Sequence, residues 1–109
     1  MIEALLGSLS AQRVLFYITA RDEGYARELA RFYEAGLTPI QKQLDKFEYG
    51  GVLVSRAVGR TRVYSFNPRY AFLKELKALL EKAISFLPND EREALTVYRR
   101  RPRRKGKPL

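Results

Sequence analysis

The chain has 109 residues, 46% of them hydrophobic, with a formal net charge of +9 and neither cysteine nor histidine. That length makes one small domain, able to bury roughly 65% of its unfolded surface. The missing residue types exclude disulfides, thiolate or imidazole metal sites, and Cys or His nucleophilic chemistry; no apolar run approaches a membrane span and no basic region precedes the apolar N-terminus.

Met1–Leu6 reads as a short helix, and Ala11–Ala20 as a second one capped by Ser10, whose hydroxyl accepts a free N–H of the first turn. Val14, Leu15 and Ile18 form its inward stripe, and Arg21-Asp22-Glu23-Gly24 breaks it. Tyr25 falls in a brief extended segment. Ala26–Tyr33 is the next helix, with Leu29 and Ala30 inward. Glu34-Ala35-Gly36 is a tight turn in which Gly36 is expected to take a positive φ.

Leu37–Tyr49 is the following helix, with Ile40, Leu44 and Phe47 as its buried edge. Thr38 is alternatively its N-cap, with Pro39 at the first helical position. At 100° per residue, Thr38, Lys42, Asp45 and Tyr49 point away from the buried edge, flanked by Gln41 and Lys46. Gly50-Gly51 ends the helix. Val52–Val58 and Thr61–Phe66 bracket Gly59-Arg60, which suits a type II′ hairpin pairing Leu53 with Phe66 and Ser55 with Tyr64. Asn67-Pro68 closes the second strand.

Tyr70–Leu87 reads as a strong helix with an apolar stripe of Leu73, Leu76, Leu80, Ala83 and Leu87, widened by Phe72, Leu79 and Ile84. That stripe is either a dimer interface or packing within the monomer. After Pro88, Asn89 or Asp90 caps a short helix, Glu91–Tyr98, and 99–109 is a basic tail without periodicity. The expected organisation is mainly α with a small β-hairpin (α+β). Residues 1–87 form the domain, 88–98 the short helix and 99–109 the tail.

The order of helix, turn, helix and basic hairpin is that of a helix-turn-helix followed by a wing. Residues 42–69 carry Lys42, Lys46, Arg56, Arg60, Arg62 and Arg69 against Asp45 and Glu48, while 1–41 and 70–98 are nearly balanced. A localised basic face is the footprint of a polyanion binder. The exposed N-terminal half of the second helix offers Thr38, Gln41 and Lys42 to base edges in a major groove. Lys46 and Tyr49 fall where phosphates are met, Arg56 lies on the first strand, and Arg60 and Arg62 clamp the minor groove or its phosphates.

The run G-L-T-P-I-Q-K-Q-L-D-K-F-E-Y-G-G-V-L-V-S-R followed by R-V-Y-S-F-N-P resembles the winged-helix domains of ArsR/MarR-like bacterial and archaeal regulators, over about residues 8–87. The resemblance implies a winged helix-turn-helix with an additional C-terminal helix, and base contacts at Leu37, Thr38, Gln41 and Lys42 with wing arginines at Arg60 and Arg62. It also implies a homodimer on duplex DNA, for which the stripe after Tyr70 is the candidate interface. The turn Glu34-Ala35-Gly36 departs from the family's usual Gly-Leu-Ser. The metal-sensing members use Cys or His ligands, so metal response does not carry over. Proteins of this kind often accompany a nucleotidyltransferase-like protein, a further partner class.

The tail residues Arg99, Arg100, Arg101, Arg103, Arg104, Lys105 and Lys107 read as a non-specific phosphate binder. Lys105-Gly106-Lys107-Pro108 loosely resembles an AT-hook core, and arginine-rich segments also order on RNA. The expectation is a cytoplasmic, cofactor-free transcriptional regulator acting as a repressor, and not an enzyme. Its alternative is an interaction module for a nucleotidyltransferase-like protein, with the tail holding nucleic acid without sequence preference.

Overall fold

The structure is a computed structural model and describes residues 1–96. The elements are α1 (Glu3–Leu6), α2 (Leu9–Arg21), β1 (Glu23–Gly24), α3 (Ala26–Tyr33), α4 (Leu37–Tyr49), β2 (Leu53–Val58), β3 (Thr61–Phe66) and α5 (Leu73–Ser85), followed by a helical stretch at 89–96. Among the described residues, no helix is long and apolar enough to cross a membrane.

The centre of the molecule is α2. Val14, Leu15, Tyr17 and Ile18 are buried, as are Ala11, Gln12, Phe16 and Ala20, so this helix is covered on nearly every side. Its N-cap is Ser8, whose hydroxyl accepts the Ala11 N–H at 3.0 Å. The cap expected at Ser10 is thus displaced by one turn edge. Gly7, in a left-handed conformation, ends α1 and delivers Ser8 already extended, so Ser10 is inside the helix.

A third strand, β1, joins the hairpin and gives an antiparallel sheet of order β1-β3-β2. Gly24 pairs with Tyr64, and Glu23 with Ser65. Gly24 is what lets this strand lie on the core. A Cβ there would stand 2.8 Å from Leu29 Cδ1 and 2.9 Å from Tyr17 Cε1, both side chains fully buried. The hairpin itself has the expected register, with Leu53 opposite Phe66 and Ser55 opposite Tyr64. Only Gly59 of the two turn residues has a positive φ, 63°, as a type II′ turn requires.

The α3–α4 connection differs in its detail. Glu34, not Gly36, takes the left-handed conformation at φ 52°, and the Ala35 N–H bonds back to the Ala30 carbonyl at 2.9 Å. Gly36 is extended and is the N-cap of α4, without a side-chain cap bond. Thr38 is therefore the second helical residue and not the cap. Pro39 is the third, where its missing N–H leaves no helical bond unmade. Ile40, Leu44 and Phe47 are buried as expected.

Helix α5 is shorter than Tyr70–Leu87 at both ends. The Asn67 side chain accepts the Arg69 N–H and the Asn67 carbonyl accepts the Tyr70 N–H, both at 3.0 Å, which holds 67–70 in a turn. Phe86 caps the other end ahead of Pro88. The last helix begins by residue 89, earlier than Glu91, so Asn89 and Asp90 are within it. Leu95 buries itself in the core, and Arg21 donates to the Leu95 and Ala94 carbonyls at 3.0 and 2.8 Å. The Arg21 guanidinium also lies over the Tyr17 and Phe32 rings, at 4.6 and 4.7 Å from their centroids. Tyr98 and the tail residues Arg99 to Lys107 lie outside the described residues.

Candidate nucleic-acid interface

Burial of Ile40, Leu44 and Phe47 against α2 and α3 orients α4 and turns Thr38, Lys42 and Tyr49 to solvent. Tyr49 is 96% exposed, at the end of the helix. Lys42 makes no hydrogen bond or ion pair among the described residues. The same holds for Arg60 at the hairpin tip. Their charges are uncompensated by any direct partner.

The flank of α4 facing the hairpin is tied to it by two polar straps. Gln41 Nε2 donates to Tyr64 Oη at 3.2 Å and to Asp45 Oδ1 at 2.9 Å. About two helical turns further on, Ser55 Oγ donates to Glu48 Oε2 at 2.6 Å and accepts from Arg62 Nη1 at 3.1 Å. Leu53, Ser55, Ala57, Arg62, Tyr64 and Phe66 share one face of the hairpin by its pairing, and that face is turned to α4. Glu48 therefore bridges the helix and the hairpin and Asp45 lies beside Gln41 on the helix, where the two carboxylates offset part of the cationic charge.

The other basic residues have local partners as well. Lys46 lies on the opposite flank, where its Nζ donates to the Leu6 carbonyl at 3.3 Å and rests over the Phe47 ring. Arg56 forms an ion pair with Glu23 at 3.0 Å, across β3, with both side chains about half-exposed. Solvent screening makes such a pair worth little. Thus, among the described residues, Thr38, Lys42, Tyr49 and Arg60 are presented without side-chain partners, whereas Gln41, Lys46, Arg56 and Arg62 are held within the chain.

Two residues on α3 were missed at the level of sequence. Arg27 and Arg31 are exposed one turn apart on the helix preceding α4, and neither side chain has a partner among the described residues. Their i, i+4 spacing was the available signal. The apolar stripe of α5 is largely used by the monomer. Leu80 and Ala83 are buried, and Leu73, Leu76 and Leu87 are half-buried. Among the described residues no group of His, Cys, Asp or Glu could hold a metal ion. Burial pushes the Tyr17 and Tyr33 phenols well above the ordinary tyrosine range. Both stay neutral, and Tyr33 donates to the Arg13 carbonyl at 3.0 Å.

No family model matches the chain, and no curated protein does. One solved structure that matches is that of Lactococcus lactis ZitR, a doubly substituted variant in apo form. It superposes with a TM-score of 0.54 at 14% identity, covering 97% of this chain and 89% of that one. The chain has the winged-helix fold. At that identity the likeness establishes architecture alone. The hairpin β2–β3 is the wing of that fold, and α3, its turn and α4 form the helix-turn-helix.

Proposed function

We propose that this protein binds duplex DNA as a transcriptional regulator, with α4 in the major groove and the wing on the adjacent minor groove or backbone. The observation that carries the reading is the outward row Thr38, Lys42 and Tyr49 on α4, beside an unpaired Arg60 at the tip of a wing strapped to that helix. A helix of this diameter fits the major groove, where each base pair shows its own donor and acceptor pattern. Lys42 donates to guanine O6 or N7, and Thr38 meets a phosphate or a thymine methyl. Gln41 reads adenine when it exchanges its bonds to Tyr64 and Asp45 for the base edge. Arg60, Arg27 and Arg31 fix the register through phosphates.

One recognition helix specifies few base pairs, so the reading includes a two-fold dimer with half-sites about 34 Å apart. Occlusion of a promoter makes it a repressor. The test is selection of a preferred duplex at fixed salt, followed by binding of variants. Lys42→Ala and Gln41→Ala should lose preference among sequences more than bulk affinity. Arg60→Ala should weaken all sequences alike and lower the salt slope by about one unit. Unchanged sequence preference in both α4 variants would overturn the assignment of base readers. Recovery of no preferred sequence would overturn the regulator.

A further inference from the structure

We propose that Tyr64 sets which bases Gln41 accepts, although Tyr64 itself is too deeply buried to meet DNA. The inference rests on the duplex-DNA reading above and names the specificity of one of its contacts. Gln41 is half-buried on α4, next to exposed Lys42. Its side chain ends in an acceptor, Oε1, and a donor, Nε2, which carries two hydrogens. Nε2 faces two oxygens, Asp45 Oδ1 at 2.9 Å and Tyr64 Oη at 3.2 Å. A carboxylate only accepts hydrogen bonds, so Asp45 fixes which end of the amide turns inward. Tyr64 is a rigid post. It is 3% exposed and part of the core, and its strand is the central one, pairing Tyr64 with Gly24 on one side and Ser55 on the other.

Both amide hydrogens are thus engaged within the chain, and Oε1 is left over. It has no hydrogen-bond partner among the described residues. Nor is it buried, since the one buried side-chain polar atom without a partner among those residues is Gln43 Oε1. Gln41 therefore presents a lone acceptor. In the major groove cytosine offers its N4 amino group and adenine its N6 amino group, whereas guanine and thymine turn acceptors toward it. The held amide takes A or C and rejects G and T. Adenine has a second group, N7, which accepts an amide hydrogen in the two-bond contact. To make that contact Gln41 gives up a bond to Tyr64 or Asp45. One bond replaces another, and adenine gains little over cytosine. Without the Tyr64 hydroxyl a hydrogen is free for N7, and adenine gains a bond while none is lost.

The experiment is duplex selection at fixed salt with the wild type, Gln41→Ala and Tyr64→Phe. The position whose preference vanishes in Gln41→Ala is the one Gln41 reads. There the wild type should accept A and C within about threefold of each other and disfavour G and T about tenfold. Tyr64→Phe keeps the ring in the core and should favour A over C about tenfold at that position, leaving the others unchanged. A hydroxyl that merely supports the fold would lower the affinity for every sequence alike and leave the ranking of bases as it was. Asp45→Ala should shift the same ranking toward adenine, with tighter binding to all duplexes because a negative charge is gone.

The strap is also read without DNA. The Gln41 side-chain amide resonances should move on Tyr64→Phe, and wild-type resonances at the positions of free glutamine would overturn the proposal. So would adenine alone at the Gln41 position in the wild type, or an A-to-C ranking that Tyr64→Phe leaves as it was. Either of these last two leaves the DNA reading intact. Selection of no preferred duplex would overturn both.

Discussion

Glu48→Gln tests how the wing and α4 share their charges, because it is expected to move stability and DNA affinity in opposite directions. Glu48 accepts from Ser55, which in turn accepts from Arg62, so one carboxylate on α4 draws a wing arginine inward. The amide keeps a hydrogen-bonding partner for Ser55 and removes only the charge. At this exposed site the loss is about 0.5 kcal/mol, a fall in Tm of roughly 2–4 °C. Arg62 is then released to a phosphate. Each phosphate newly neutralised steepens the salt slope by about 0.9, which corresponds to an affinity gain of a few-fold near 0.1 M salt. The assay is fluorescence anisotropy on one duplex at several salt concentrations, beside a thermal melt. Weaker DNA binding with an unchanged salt slope would refute the reasoning. It would mean that the strap aligns the wing for DNA and that Arg62 is not held in reserve by Glu48.

Glu34 pays a steric penalty in its left-handed conformation, so Glu34→Gly should raise the stability by about 0.5–1 kcal/mol, read as an increase in Tm. Gly24→Ala should lower it by about 1–3 kcal/mol, because the new methyl meets buried Tyr17 and Leu29, and a denaturant titration measures the loss. The raised phenols of Tyr17 and Tyr33 fix the sign of an alkaline effect. The stability they contribute is complete below the unfolded tyrosine value of about 10 and declines as pH rises above it. A tyrosinate absorbance titration should therefore show the Tyr17 and Tyr33 phenols ionising only as the chain unfolds, and Tyr33→Phe should remove one of these late-ionising groups.

Much of the fold was legible because it is locally encoded. Ala26–Tyr33 and Leu37–Tyr49 appear where apolar spacing and the glycines put them. The hairpin register follows from the two residues Gly59-Arg60, since turn length alone fixes which residues face each other. The starts of α2 and α5 were less legible. The preceding segment decided each: Gly7 delivers Ser8 as the cap of α2, and the turn held by Asn67 delays α5. β1 was hidden because two residues carry no periodicity, and only the edge of β3 makes them a strand.

For the candidate interface the division is sharper. Helical phase by itself determined that Thr38, Lys42 and Tyr49 face outward, because the burial of Ile40, Leu44 and Phe47 leaves no other orientation. Net charge along the chain likewise marked the segment 42–69. Which of its cations are free was decided only by the tertiary structure. Glu23 reaches Arg56 from another strand, Leu6 receives Lys46 from the N-terminus, and Ser55 and Glu48 hold Arg62 from across the sheet. The same is true of α5, where packing chose Leu80 and Ala83 for the core and left Phe72, Leu79 and Phe86 outside. Periodicity tells that a helix has an apolar side; only the neighbours that fill it tell which apolar residues remain for a partner.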